Sequence, residues 1–161
     1  DAAAFLNKIY CNGFAKLDVG KTRYGLMLRE DGIVMDDGTA ARLAEDHYVV
    51  TTTTANAVSV YRHMEFARQV LWPDLDVQLI SRTESWAQYA VAGPNARKLL
   101  RKIVDTEFDI SNEAFPFMAC GVITAFGGLR ARLFRISFSG ELAYEIAVPT
   151  RYGEAILRAL I

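Results

Sequence analysis

The sequence is poor in the residues on which most recognisable chemistry is built. Its 161 residues include two cysteines, Cys11 and Cys120, and two histidines, His47 and His63. The cysteines stand far apart in apolar company, with neither a CxxC pair nor a metal-ligand spacing, so they read as reduced packing residues of a cytosolic (cytoplasmic) chain. No Cys/His/carboxylate cluster at ligand spacing accompanies either histidine; both read as surface residues and no metal site is expected. The eleven glycines contain no GxGxxG, which excludes a dinucleotide fingerprint. No GxSxG elbow is present, and Ser137 and Ser139 lie in strand-like context, so a serine triad has no support.

Long apolar runs and an excess of one charge are missing too. The longest uncharged stretch, residues 114–129, is shorter than a bilayer span and is broken by Pro116, Gly121 and Gly127-Gly128, so no membrane segment is expected. Eighteen Lys+Arg against nineteen Asp+Glu give a net charge of -1, so no global field favours nucleic acid or an anionic membrane. Any anionic ligand must be held locally. The chain begins at Asp1 with no basic-then-apolar leader, which raises the expectation of a fragment.

What is present is alternation of two kinds. Phe5, Leu6 and Ile9 share one face of a short helix that Asp1 can cap, ending before Asn12-Gly13. Residues 15–22, AKLDVGKT, fit a relaxed phosphate loop, but a strand-like alternation follows where such a loop needs a helix, so they read as the entry to a hairpin. That hairpin carries Tyr24, Leu26 and Leu28, turns at Asp31-Gly32 and returns through Ile33, Val34 and Met35. A third strand is expected over residues 48–52. A helix capped by Thr54 or Asn56 follows, with Val58, Tyr61, Met64 and Leu71 on its buried side and its end near Pro73, then a strand at Val77, Leu79 and Ile80.

The second half repeats this grammar: a strand over 86–91, a helix opened by Gly93-Pro94 with Ala96, Leu99, Leu100 and Ile103 as its stripe, and a hairpin around Gly127-Gly128. A strand over 143–148 and a helix over 152–161 complete it. The expected fold is α+β: two related, mainly antiparallel sheet-plus-helix units, residues 1–82 and 83–161, truncated at both ends.

Two acidic positions stand out. Asp36 and Asp37 follow one another on a strand, so at most one of them looks inward. Glu145 lies within LAYEIAV with Ala143 and Ala147 on its own face; a carboxylate there either needs donors or a cation, or lies on an edge or solvated face. The basic run Arg97, Lys98, Arg101 and Lys102 faces away from its helix's apolar stripe and reads as a solvated face.

Four blocks, EDGIVMDD at 30–37, HYVVTTTTAN at 47–56, AVAGPNARKLL at 90–100 and SFSGELAYEIAVP at 137–149, resemble the folate-binding aminomethyltransferase family, typified by the T-protein of the glycine cleavage system. The last block and RYGLMLREDGIVMDDGT most closely resemble the branch of that family carried in sarcosine oxidase alpha subunits. The resemblance implies tetrahydrofolate as ligand, Asp37 as the catalytic carboxylate, Glu145 as the pterin anchor, and Tyr24, Val50, Thr52 and Phe138 as folate-binding positions. It implies transfer of the iminium from sarcosine oxidation onto tetrahydrofolate, giving 5,10-methylenetetrahydrofolate and glycine. FAD, FMN and NAD would sit elsewhere in the parent complex, whose other subunits and remaining alpha chain are the implied partners, and the fragment alone would be inactive. Phe138 replaces a tyrosine of the family pattern, Thr52 an asparagine and Gly38 an apolar residue, which fits the oxidase branch better than the T-protein. The cationic partner of the folate tail is expected beyond this chain. A stand-alone transferase, a dimethylglycine oxidase domain, a folate-binding module without transfer and a docking domain stay open as alternatives.

Overall fold

In the computed structural model, which describes residues 1–161, the first element is the helix α1 (Ala2–Ile9), held by Phe5, Leu6 and Ile9 on its buried face. Asp1 occupies the cap position without bonding the helix; its carboxylate instead accepts the Asp76 N–H at 3.0 Å. Strands β1 (Lys21–Leu28), β2 (Val34–Ala44) and β3 (His47–Val50) form an antiparallel sheet in the order β1-β2-β3. As the alternation requires, Gly25 and Met27 face the core and Tyr24 and Leu28 face away. The β1–β2 turn uses Gly32 at φ +79°, a conformation that a side chain disfavours.

The third strand stops at Val50, short of Thr52. Beyond it the backbone crosses over Gly38, where a Cβ would lie 2.0 Å from the Thr51 carbonyl oxygen. A 3-10 turn at Thr54–Asn56 then leads into α2 (Ala57–Phe66), which widens into a π turn at Ala67–Leu71. The stripe expected here is displaced. Val60, Met64 and Ala67 are buried, whereas Val58 and Leu71 are exposed and Tyr61 is half-buried. The opening 3-10 turn resets the phase at one end, and the extra residue of the π turn carries Leu71 out of line at the other. The strand expected at Val77–Ile80 does not form: Val77 is buried, but this segment is tied by side-chain bonds, Asp1 to Asp76 and Tyr61 to the Leu79 carbonyl, and Ile80 is exposed. Phe5, Phe14, Met27 and Val60 centre this core, with Trp72 edge-on to Phe5 at 6.0 Å.

The second compact unit, Arg82–Ile161, follows the first, Asp1–Ser81. It contains β4 (Trp86–Ala92), α3 (Ala96–Leu100), β5 (Cys120–Ala125), β6 (Leu129–Phe134), β7 (Ala143–Pro149) and α4 (Gly153–Leu160), with sheet order β4-β7-β6-β5. Pro94 lies in the turn rather than at the first helical position; Asn95 takes the cap. The β5–β6 turn is closed by Asp105, whose two carboxylate oxygens accept the N–H groups of Gly127 and Gly128 at 2.7 and 2.8 Å. Tyr144, Leu100, Leu133, Ile146, Val148 and Ile156 are almost wholly enclosed.

The two units carry the same opening. Residues 1–9, DAAAFLNKI, and 95–103, NARKLLRKI, agree at Ala2/Ala96, Leu6/Leu100, Lys8/Lys102 and Ile9/Ile103. The next residue in each case makes an isolated antiparallel bridge to the first strand of the following hairpin, Tyr10 to Met27 and Val104 to Ala125. Each unit then runs through three strands to a closing helix, so the repeat expected from the pattern is present in backbone detail.

Three readings of single residues change. Cys11 is exposed and only Cys120 is buried, so the packing role belongs to one of the pair. His63 is half-buried on α2, while His47 is exposed. Arg97 leaves the solvated basic face: its Nε donates to the buried Tyr144 hydroxyl at 2.8 Å and its guanidinium to Asn112, while Lys98, Arg101 and Lys102 stay exposed. No group of His, Cys, Asp and Glu is placed to hold a metal, and no helix is long and apolar enough to cross a membrane.

Candidate functional site

On the first sheet, register puts Tyr24 opposite Thr39 and Leu26 opposite Asp37, so Tyr24 and Asp37 lie diagonally on one face. The Tyr24 hydroxyl donates to Asp37 Oδ2 at 2.5 Å, and this bond is the main cause that pushes the phenol pKa above its ordinary value. Both side chains are exposed. Asp36, one residue earlier, points to the other face and is buried, accepting the Thr53 N–H at 3.3 Å and Asn56 Nδ2 at 3.2 Å. Asn56 also donates to the Met35 carbonyl at 2.8 Å, so Asp36 fastens the link from β3 to α2. Nearby, burial and the Asp36 charge hold the Tyr10 phenol far above its usual range. One carboxylate looks inward, as alternation demanded, and it is Asp36; Asp37 faces outward.

Val50 pairs with Ala40, on the opposite face from Asp37, and packs against the first core. Thr52 lies beyond the strand and its hydroxyl donates to the Thr53 carbonyl at 3.2 Å. Tyr24 and Asp37 are therefore brought together, while the Val50 side chain belongs to the other side of the sheet. Sequence reasoning passed over Thr39 and Thr51, whose hydroxyls meet at 2.9 Å beside the Tyr24 row.

On the second sheet, Glu145 lies between buried Ala143 and Ala147 and opposite Ala90 and Phe134. It is half-buried. Gln88, the register partner of Ala147, donates its side-chain amide to Glu145 Oε2. Burial raises the carboxyl pKa above the ordinary glutamate value, and the Gln88 bond partly offsets this. Oε1 has no donor within the chain. Gln88 was missed because nothing in the residues 86–91 marks it: its partner is 57 positions away and only the β4–β7 register joins them. Phe138 lies in the loop between β6 and β7 with its ring fully exposed.

Each of these faces offers its own chemistry. Glu145 presents a half-desolvated acceptor to a ligand with parallel N–H donors, and Asp37 with Tyr24 presents an exposed carboxylate and a hydroxyl that can exchange a proton with it. The family profile that matches the sequence is the GCVT N-terminal domain, over residues 1–161. The chain belongs to that family. Among curated relatives, the sarcosine oxidase subunit alpha of Rhizobium meliloti (strain 1021) is 62% identical over 162 residues, covering 100% of this chain and 16% of that protein. An aminomethyltransferase of Chloroherpeton thalassium is 31% identical over 160 residues, covering 99% of this chain and 42% of its own length. The crystal structure of glycine cleavage system aminomethyltransferase T from Bartonella henselae superposes with a TM-score of 0.81 at 24% identity, over 98% of this chain and 40% of that one. The α+β architecture of this GCVT domain is thus the T-protein fold, and the chain spans only a small part of its sarcosine oxidase relatives.

Proposed function

We propose that this GCVT-family domain binds tetrahydrofolate and serves one-carbon transfer, receiving the iminium formed from sarcosine and yielding 5,10-methylenetetrahydrofolate and glycine. The supporting observation is Glu145, half-buried on an alanine floor with one oxygen held by Gln88 and the other without a donor. A carboxylate so placed is costly until donors reach it, and the ring N–H and exocyclic amino group of a reduced pterin form such a pair. Bound tetrahydrofolate supplies the nucleophilic ring nitrogen. Glu145 fixes the orientation of the pterin; Asp37 stabilises cationic charge at the transferred carbon and accepts a proton, and the Tyr24 hydroxyl holds Asp37 in place. Thr52 and Phe138 complete the proposed folate contacts, to which Val50, its side chain packed in the first core, adds at most its backbone. FAD, FMN and NAD chemistry belongs, in this reading, to other parts of a longer alpha chain and its partner subunits, in the cytoplasm.

The test is calorimetric titration of the full-length protein with tetrahydrofolate. Glu145→Gln keeps the shape of the side chain and removes its charge, so affinity should fall by about 10- to 150-fold, the equivalent of about 1.5–3 kcal/mol for hydrogen bonds to a charged group. Unchanged affinity rejects the anchor. A pH series gives a second expectation. The ligand needs ionised Glu145, whose pKa is raised, so wild-type affinity should weaken with acidification at a higher pH than an ordinary glutamate would produce. The Gln variant should lose that dependence. The charged group nearest along the sheet, Arg132, keeps its charge throughout this range.

A further inference from the structure

Glu145 owes its place on the second sheet to β7, but nothing on β7 decides which way its carboxylate turns. Its neighbours along that strand on the same face, Ala143 and Ala147, end in methyl groups, and its cross-strand partners are Ala90 on β4 and the buried Phe134 on β6. None of these four side chains can donate a hydrogen bond. Gln88 can. It pairs with Ala147, which sets it diagonally beside Glu145 on the same face, within reach of a long side chain, and its amide donates to Glu145 Oε2. This is the one hydrogen bond that the chain gives the carboxylate.

The charged side chains of that face stay out of the arrangement. Arg130 and Arg132 on β6 share it, and Arg132 is the other register partner of Ala147, but its guanidinium lies over the Trp86 ring, 4.0 Å from the centroid. Neither arginine enters an ion pair; those of the chain are Arg29–Asp31, Arg42–Glu45, Arg68–Glu65 and Arg158–Glu154. Two influences act on the Glu145 proton, and neither is a charge: burial favours the neutral acid, and the Gln88 bond favours the carboxylate. An amide suits this position. A lysine or arginine in its place would hold the carboxylate more firmly but would also answer its charge, whereas an amide orients the anion and leaves the charge for a ligand's N–H groups.

We infer that Gln88 is a positioning residue of the folate site, acting through Glu145: it ties Oε2 toward β4 and so presents Oε1, on an anion that no cation pairs, to the N–H donors of the ligand. This rests on the folate reading above. Loss of the Gln88 donor has two effects. The carboxylate regains rotamer freedom that binding must then remove, and nothing any longer opposes burial, so Glu145 takes up its proton at a higher pH. Both weaken a ligand that needs the ionised carboxylate. The second does so with a pH signature that a purely structural side chain would not have.

Calorimetric titration of the full-length protein with tetrahydrofolate across a pH series tests this, and Gln88 is exposed, so its replacement leaves the core packing alone. Gln88→Leu keeps the volume and removes the donor. It should weaken binding at neutral pH by about three- to tenfold, the range of a single hydrogen bond, and move the acid limb of the affinity profile to higher pH. Gln88→Lys returns a donor with a positive charge and should move that limb below its wild-type position. In a Glu145→Gln background, Gln88→Leu should change affinity by no more than about twofold, because no carboxylate is left to position. An acid limb that Gln88→Leu leaves in place, or that both Gln88 variants move the same way, overturns the positioning role, as does an equal loss of affinity in the two backgrounds; each leaves tetrahydrofolate binding standing. A wild-type protein that does not bind tetrahydrofolate overturns the folate reading and this inference with it, a pattern distinct from the others.

Discussion

If the function proposed above holds, Asp37→Asn in the full-length protein with its partner subunits is expected to lower the yield of methylene-folate by about 10²-fold or more, the usual contribution of a positioned acid or base, while amine oxidation continues. The substitution is nearly isosteric. Asparagine still offers an oxygen to the Tyr24 hydroxyl, and Asp37 is exposed, so neither packing nor the β1–β2 register is disturbed. What is lost, on the function proposed above, is the negative charge that favours a cationic transferred carbon and the basicity that takes up the proton released by the attacking folate nitrogen. An iminium that is not captured meets water and hydrolyses, so formaldehyde should rise as methylene-folate falls. Measuring both products against sarcosine consumed separates this role from a defect in oxidation; an unaltered product ratio excludes Asp37 from the transfer.

Gly38→Ala should destabilise the first unit by about 3 kcal/mol, the upper end of what overpacking usually produces. The new Cβ would lie 2.0 Å from the Thr51 carbonyl oxygen and 2.9 Å from its carbon, and backbone cannot turn aside as a side-chain tip can. Its cross-strand partner is also a glycine, Gly25, where a Cβ would meet the Tyr10 ring at 2.7 Å, so the sheet has no slack on that side either. Relief requires the 51–53 segment to lift, which strains the Thr53 N–H bond to Asp36 and the Thr39–Thr51 hydroxyl contact. Urea unfolding of residues 1–161 should show a lower midpoint with the slope preserved. An unchanged midpoint would show that the chain does not cross Gly38 as described.

Gly38 also shows where sequence reasoning stops. It stood out as a departure from an apolar position, but the reason is a backbone 13 residues later, and a contact between two non-adjacent segments leaves no mark on either. The displaced stripe of α2 has a similar origin, since a π turn adds one residue to a helical turn without changing the composition. Residues 77–80 have the apolar pattern of a strand and lack a neighbour to pair with, and pairing, unlike periodicity, is not a local property.

The sequence by itself determined the local geometry and its repetition. Period-two alternation defined the hairpins of both units, the buried face of α1 followed from three apolar positions, and the absence of nucleotide, metal and serine-nucleophile motifs narrowed the chemistry, because these depend on residues close together in the chain. The family, too, was legible in four short blocks. Tertiary structure alone decided which carboxylate of the Asp36-Asp37 pair faces outward, which amide engages Glu145, and that Arg132 lies over the Trp86 ring. Those outcomes depend on strand register and order, which join β1 to β2 in one sheet and β4, β6 and β7 across dozens of residues in the other, and a one-residue slip of a strand would turn its side chains to the other face.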